Sequence, residues 1–233
     1  MKLPKPLFPG TLIRRYKRFL ADIELESGEI VTAHCPNSGS MKGCAIPGNS
    51  VLLSRSDNPD RKYPFTWELV KVNGLWVGIN TGLPNKLTGE AIKQGVIKEL
   101  LGYDTVHPEV RYGKDSRIDL LLSGKPGLCY VEVKNVTLVE NGVALFPDAQ
   151  TARGRKHLQE LMRETRTGNR GVIFFVVQRA DAGALAPADA IDPEYGRLLR
   201  EAAENGVEAI AYQAHVEPGE IYLERSIPVF LDR

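Results

Sequence analysis

The chain has little cysteine, little net charge and no long apolar run, and each shortage excludes something. Its three cysteines, Cys35, Cys44 and Cys129, are an odd set without CxxC spacing. Neither a disulfide framework nor a zinc site is therefore expected, and buried thiols are. No apolar run approaches the roughly 18–20 residues that a membrane span needs. Met1-Lys2-Leu3-Pro4-Lys5-Pro6 has no apolar segment of the secretory type. A cytoplasmic protein with no membrane partner is the expectation. Lys and Arg number 30 against 29 Asp and Glu, a net charge of +1, which rules out a polybasic chain that coats nucleic acid. Internal repeats and low-complexity segments are absent.

What is present is an ordinary globular composition, 42% hydrophobic and 25% charged over 233 residues. That length suits one or two domains at roughly 100–200 residues each. The charge is uneven. Residues 1–83 carry 11 Lys and Arg against 7 acids, whereas residues 84–233 carry 19 against 22. The pattern changes at the same place, near Leu83-Pro84-Asn85.

Before that boundary the chain reads as about five short strands, which suggests a small all-β barrel. Ala21, Ile23 and Leu25 alternate with polar residues, Ser27-Gly28 turns, and Ile30 to His34 returns. Trp67 to Val72 and Leu75 to Asn80 flank Asn73-Gly74, the sequence of a type I′ turn. After the boundary, apolar spacing predicts a helix over Thr88–Leu101 with Thr88 as its N-cap. Strands follow at Val106–Tyr112, Arg117–Leu122 and Leu128–Thr137. A helix over Thr151–Glu164, a strand over Gly171–Gln178, a helix near Glu194–Asn205 and a strand over Val207–Ala214 complete a mixed α/β sheet.

The sharpest chemical constellation is Asp119, Glu132 and Lys134. Glu132 and Lys134 are two apart on a strand and share a face, while Val131 and Val133 face the other way. A hairpin centred near Lys125 places Asp119 opposite residue 131, give or take one. Two carboxylates there offer oxygen ligands to Mg²⁺ or Mn²⁺, and the lysine can position a nucleophilic water. These parts suit phosphodiester hydrolysis. A solvated surface pair is the competing reading of Glu-Val-Lys alone. Arg14, Arg15, Lys17 and Arg18, interleaved with Tyr16 and Phe19, form a basic aromatic cluster suited to DNA; core packing of the rings and ion pairing with Glu24 or Glu26 compete. Asn37-Ser38-Gly39-Ser40 and Lys42 can bind phosphate or make a plain polar turn. On the second helix Lys156 and His157 can touch phosphate or lie on a solvated face. Trp67 and Trp76 read as barrel core; His107 and His215 receive no role.

Asp119…Glu132-Val133-Lys134, between helices, resembles the core of the PD-(D/E)xK nuclease superfamily, with Ile118 standing where that name has proline. More specifically, five segments resemble the sugar fermentation stimulation protein A family, over essentially the whole chain. They are Arg15-Tyr16-Lys17-Arg18-Phe19, Ala33-His34-Cys35-Pro36-Asn37-Ser38-Gly39-Ser40-Met41, Thr66-Trp67-Glu68-Leu69, Gly78-Ile79-Asn80-Thr81 and Tyr130 to Val136. The resemblance implies an OB-fold DNA-binding domain over 1–83 and a nuclease-like domain over 84–233. It implies a prokaryotic DNA-binding protein, without strong sequence preference, tied to transcription regulation of sugar (maltose-type) metabolism. The superfamily positions carry over as catalytic Asp119, Glu132 and Lys134, with Glu90 joining Asp119 and Glu132 as a metal ligand. A metal-dependent nuclease is the alternative function, and a small-molecule or protein partner on the barrel a third. Pairing of an exposed strand with a second copy, giving a homodimer, is open, and no strand is singled out for it.

Overall fold

The computed structural model describes residues 1–112 and 116–232. The first half is built on β1 (Leu7–Tyr16), β2 (Leu20–Leu25), β3 (Ile30–His34), β4 (Ser50–Arg55), β5 (Phe65–Val72) and β6 (Leu75–Gly78). Antiparallel pairing runs in the order β3-β2-β1-β4-β5-β6, and a parallel contact, Ala33 with Phe65, joins β3 to β5. That contact closes the five-stranded barrel expected of an OB fold, with β6 appended to β5. Asn73 and Gly74 turn the last hairpin with φ of 50° and 82°, as a type I′ turn demands. Leu12, Ile23, Leu53, Trp67 and Val77 fill the interior. Trp67 is fully buried and donates its indole N–H to the Leu69 carbonyl at 2.9 Å.

The second half begins with α1 (Pro84–Lys93), four residues earlier than the spacing predicts. Proline is preorganised for the first helical position because its missing N–H has no partner there anyway. Thr88 is therefore not a cap. It is buried within the helix, and its hydroxyl donates to the Pro84 carbonyl. The helix also stops early: Gly95 adopts φ +70°, and only a 3-10 turn at Lys98–Leu100 continues the pattern.

The chain then forms β7 (Thr105–Tyr112), β8 (Ser116–Gly124), β9 (Gly127–Val136), β10 (Leu138–Glu140) and β11 (Val143–Phe146). It continues through α2 (Ala152–Arg166), β12 (Arg170–Val177), β13 (Ala184–Pro187), α3 (Pro193–Glu204), β14 (Val207–Glu217) and β15 (Glu220–Ile227). Six strands make a mixed sheet in the order β15-β14-β12-β9-β8-β7, with β9, β12 and β14 parallel at its centre. From Gly171 onward β12 is apolar because both its faces are covered. Val172, Phe174 and Val176 pack with Leu87 and Ala91 of α1 on one side. Ile173, Phe175 and Val177 pack with Leu158 of α2 and Leu198 of α3 on the other. Each such side chain contributes about 1.5–3 kcal/mol. Leu52 and Leu69 of the barrel belong to the cluster on the α1 side, so the halves share a core. A small sheet, β10-β11-β13, and the edge strand β15 are additions that the pattern above does not contain. Among the described residues no helix is long and apolar enough to cross a membrane.

Candidate active site

The β8–β9 hairpin sets the site. Gly124 pairs with Gly127 and Leu120 with Val131, so Asp119 lies beside Glu132, while Ile118, Leu120, Val131 and Val133 face packed cores. Asp119 Oδ2 accepts from the Val133 N–H and Oδ1 from the Asn85 side-chain amide, both at 2.8 Å. Asn85 stands in the first turn of α1, so the early helix start brings it there. Glu132 is 2% exposed. Its Oε1 accepts from the Lys134 ammonium at 2.6 Å and contacts Nδ1 of His157. Its Oε2 is buried without a hydrogen-bond partner among the described residues.

His157 comes from α2, one turn beyond Arg153. Thr151 starts that helix, its hydroxyl accepting the Gly154 N–H at 2.9 Å. Arg153 Nε donates to His157 Nε2 at 3.3 Å. With Nε2 turned to Arg153, the other ring nitrogen, Nδ1, faces Glu132 and the Lys134 ammonium.

Burial and the neighbouring Glu132 charge push the Asp119 carboxyl up to about 6, against the lowering effect of the Val133 N–H, Lys134 and Asn85. Burial also pushes Glu132 up, but the His157 hydrogen bond and the Lys134 charge outweigh it and hold Glu132 below its usual value. The pair is thus one strained and one steadied carboxylate.

The opposite wall comes from the barrel. The cleft encloses about 310 Å³, and Asn37, Ser38 and Gly39 line it together with Asp119, Glu132 and Lys134. Arg15 holds this loop by donating to the carbonyls of Asn37, Gly39 and Ser40, and it also reaches the Arg18 carbonyl. Asp148 ties the loop to the second half: its Oδ2 accepts the Met41 N–H at 3.0 Å, and its carbonyl accepts the Ser40 hydroxyl at 2.7 Å. A Cβ on Gly39 would lie 2.8 and 2.9 Å from the two Asp148 carboxylate oxygens, so glycine is required for this approach.

The structure brings Asp119, Glu132 and Lys134 together and leaves Glu90 out. Glu90 is exposed, 3.4 Å from the Met1 amine, and does not line this cleft. Its place beside Asp119 is taken by Asn85, which the spacing did not single out. His157 turns to Glu132 rather than outward. Of the basic residues, Arg14 pairs with Asp22 at 2.8 Å and Arg15 staples the loop. Lys17 and Arg18 form the β1–β2 turn with φ of 50° and 64°, exposed beside Phe19, which is 51% exposed. Ser40 is bound to Asp148, Lys42 pairs with Glu140 at 2.9 Å, and Lys156 lies 3.6 Å from Glu160. All three cysteines are free and buried.

The donor set bears on a metal. Among the described residues no three His, Cys, Asp or Glu side chains gather into a metal-holding group. Two carboxylates do converge, one raised in pKa by burial and by the other's charge and one with an unpartnered buried oxygen. Mg²⁺ commonly binds through one or two carboxylates and keeps several waters, so this pair fits a hard divalent ion.

Comparisons with known proteins cover the whole molecule. Residues 13–79 match the family model described as the SfsA N-terminal OB domain, and residues 82–220 match the sugar fermentation stimulation protein RE domain. The sugar fermentation stimulation protein homolog of Geotalea uraniireducens is 69% identical across 98% of this chain and 99% of its own length. That of Geobacter sulfurreducens is 66% identical across 98% of both. A solved structure of Pyrococcus furiosus SfsA in complex with Ca²⁺ superposes with a TM-score of 0.90 at 31% identity, covering 99% of each chain. The chain belongs to the sugar fermentation stimulation protein family.

Proposed function

We propose that the protein binds DNA and hydrolyses phosphodiester bonds in the cleft between its two halves, with a divalent metal ion. The observation that carries this reading is the unpartnered, buried Oε2 of Glu132 beside the charge-strained Asp119. Asp119 and Glu132 would hold the ion, Mg²⁺ or Mn²⁺, which when bound supplies electrophilic activation of the phosphate and a more acidic water. The Ca²⁺ bound by the Pyrococcus furiosus relative supports the presence of a hard-cation site in this family.

The chain's own residues divide the remaining work. Lys134 orients the attacking water and offsets charge on the phosphate oxygens. His157 and Asn85 position Glu132 and Asp119. Arg153 stands exposed on the cleft's edge with a guanidinium for the incoming phosphate. Lys17, Arg18 and Phe19 extend the DNA path: the Arg15 guanidinium that holds the cleft loop also binds the Arg18 carbonyl. Phosphate contact at this turn gives affinity without sequence choice and makes it salt-sensitive.

A second reading, DNA holding without cleavage in the regulation of sugar fermentation genes, draws on two observations. Lys134 and His157 already occupy Glu132 Oε1, and the described residues contain no three-ligand group. The name of the relatives supplies the link to sugar fermentation.

The experiment compares wild type with Asp119→Ala and Glu132→Ala on labelled single- and double-stranded DNA, in Mg²⁺, Mn²⁺ or EDTA and over a range of salt. Metal-dependent cleavage lost in both variants establishes the enzyme. Salt-sensitive binding without cleavage in any metal leaves the regulatory reading, and absence of binding overturns both.

A further inference from the structure

Beside the cleft lies a second, larger cavity of about 570 Å³, between α1 and the β7–β8 edge. The two share Thr81 and Asn85 in their linings, so this cavity adjoins the cleft that holds the carboxylates. Its floor is apolar: Val106 and Pro108 of β7, Leu120 of β8 and the bare backbone of Gly89. Lys86 and Lys93 stand on its rim, exposed and without a hydrogen-bond or ion-pair partner among the described residues. They are seven residues apart on α1, about 10 Å along the helix axis, and so flank the cavity. Of the rim acids, Glu90 turns to the Met1 amine, and Glu109 accepts from the Asn85 amide at 3.2 Å. Glu109 holds φ of +56°, a conformation that residues other than glycine seldom adopt. Its carboxylate is an acceptor at the junction of the two cavities.

We propose that this cavity is a nucleobase pocket, which takes the base of a nucleotide adjoining the phosphate in the cleft. An apolar floor bounded by two unpaired ammonium groups fits a flat ring flanked by phosphates. Glu109 supplies an acceptor for an exocyclic amino group. The adjoining cleft takes the next part of the strand. A base can enter only when unpaired, so the pocket selects a single-stranded or frayed stretch. This rests on the DNA reading above and deepens it.

Gly89 offers the test. A Cβ built on it meets nothing nearer than Leu120 Cδ2 at 3.9 Å, and leucine is a better helix former than glycine. Gly89→Leu therefore fills the pocket while favouring the helix. Binding is measured by fluorescence anisotropy on single-stranded oligonucleotides, each carrying one abasic position, in EDTA. Wild type should lose roughly tenfold in affinity at one position. Gly89→Leu should bind intact DNA roughly tenfold more weakly and show a flat abasic profile. The paired variant Lys86→Ser/Lys93→Ser leaves the floor intact; it should keep the abasic penalty and lower the salt slope by about 1.4. A flat profile in wild type that nevertheless binds DNA overturns the pocket and leaves the DNA reading standing, as does an unchanged penalty in Gly89→Leu. Wild type that binds no DNA removes both.

Discussion

Asp192 and Glu132 are buried carboxylates that both meet α2, the first through Thr151 and Arg155 and the second through His157, and they are treated in opposite ways. Asp192 is saturated. Its Oδ2 accepts the Thr151 N–H and its Oδ1 the Tyr195 N–H, while Arg155 donates to both oxygens at 2.8 and 3.1 Å. Burial alone would raise its pKa, but those two N–H groups and Arg155 outweigh it and hold it low. Glu132 has one oxygen crowded and the other empty, and Asp119 is pushed up by burial and by Glu132. A buried charge with a full set of donors is a fastening; one with an incomplete set carries an unmet demand for a cation. The distinction separates scaffold from site within a single helix's neighbourhood.

The sharpest way to break the comparison is to remove the fastening. Asp192→Ala should cost about 3–5 kcal/mol, since it strands Arg155 and uncaps α3, and lower Tm by roughly 10 °C. Because the folded pKa of Asp192 is depressed, its contribution is present above the ordinary carboxylate range and fades as pH falls through the lowered value. The gap between variant and wild type should therefore narrow in acid. A gap constant from pH 7 to pH 3 would contradict the assignment.

Asp119→Asn should act in the opposite direction. Here the folded pKa is raised from 3.8 to about 6, so the folded state holds the proton more tightly than the unfolded chain. The cost of the ionised carboxylate is absent below about pH 4 and complete above about pH 6. The variant should match wild type near pH 4 and exceed it by about 3 kcal/mol at pH 8, read by denaturant titration. A variant no more stable at pH 8 would remove the strain argument.

Cation demand is measured directly by Mg²⁺. At ten times its Kd the ion should stabilise wild type by about 1.4 kcal/mol, with no gain in Asp119→Asn or Glu132→Gln. Equal shifts in all three would place the ion elsewhere.

The same contrast runs through the basic turn, with smaller effects. Among the described residues the Arg15 side chain is engaged on four carbonyls and those of Lys17 and Arg18 on none. Arg15→Ala should lose about 1 kcal/mol of stability. Lys17→Ser/Arg18→Ser should leave Tm unchanged and reduce the salt slope of duplex binding by about 2. The reverse pattern would make Arg15 the DNA contact and the turn structural.

Much of this architecture is legible in the chain, because period-two alternation and turn residues are local signals. Asn73-Gly74 fixes its hairpin, and the Ser123–Gly127 turn puts Asp119 within one residue of its true neighbour. The pairing of Glu132 with Lys134 follows from strand periodicity alone. The helix start was readable too: Pro84 marks it, but Thr88 presented a competing cap signal four residues later. Reading Pro84 as the first helical residue would have put Asn85 in the first turn. Other features depend on tertiary contacts that no local pattern carries. Ala184–Pro187 pairs with β11 despite its alanines and terminal proline. The contact of His157 with Glu132 depends on how α2 lies across the sheet. The charge run at Arg14–Arg18 looks uniform in sequence, yet folding divides it into a paired residue, a staple and two free cations. β15 had a signal in Pro218-Gly219, a turn dipeptide followed by alternating residues.

The close approach of Gly39 to Asp148 has an evolutionary corollary. The two positions lie in different halves of the chain, yet neither can change freely while the other stays. A relative with any side chain at the first must shorten or move the carboxylate at the second. Recombination that exchanges one half between distant relatives should then yield hybrids that fold yet carry a misshapen cleft, unless both positions travel together. The barrel and the sheet would drift as one inherited unit rather than as interchangeable modules.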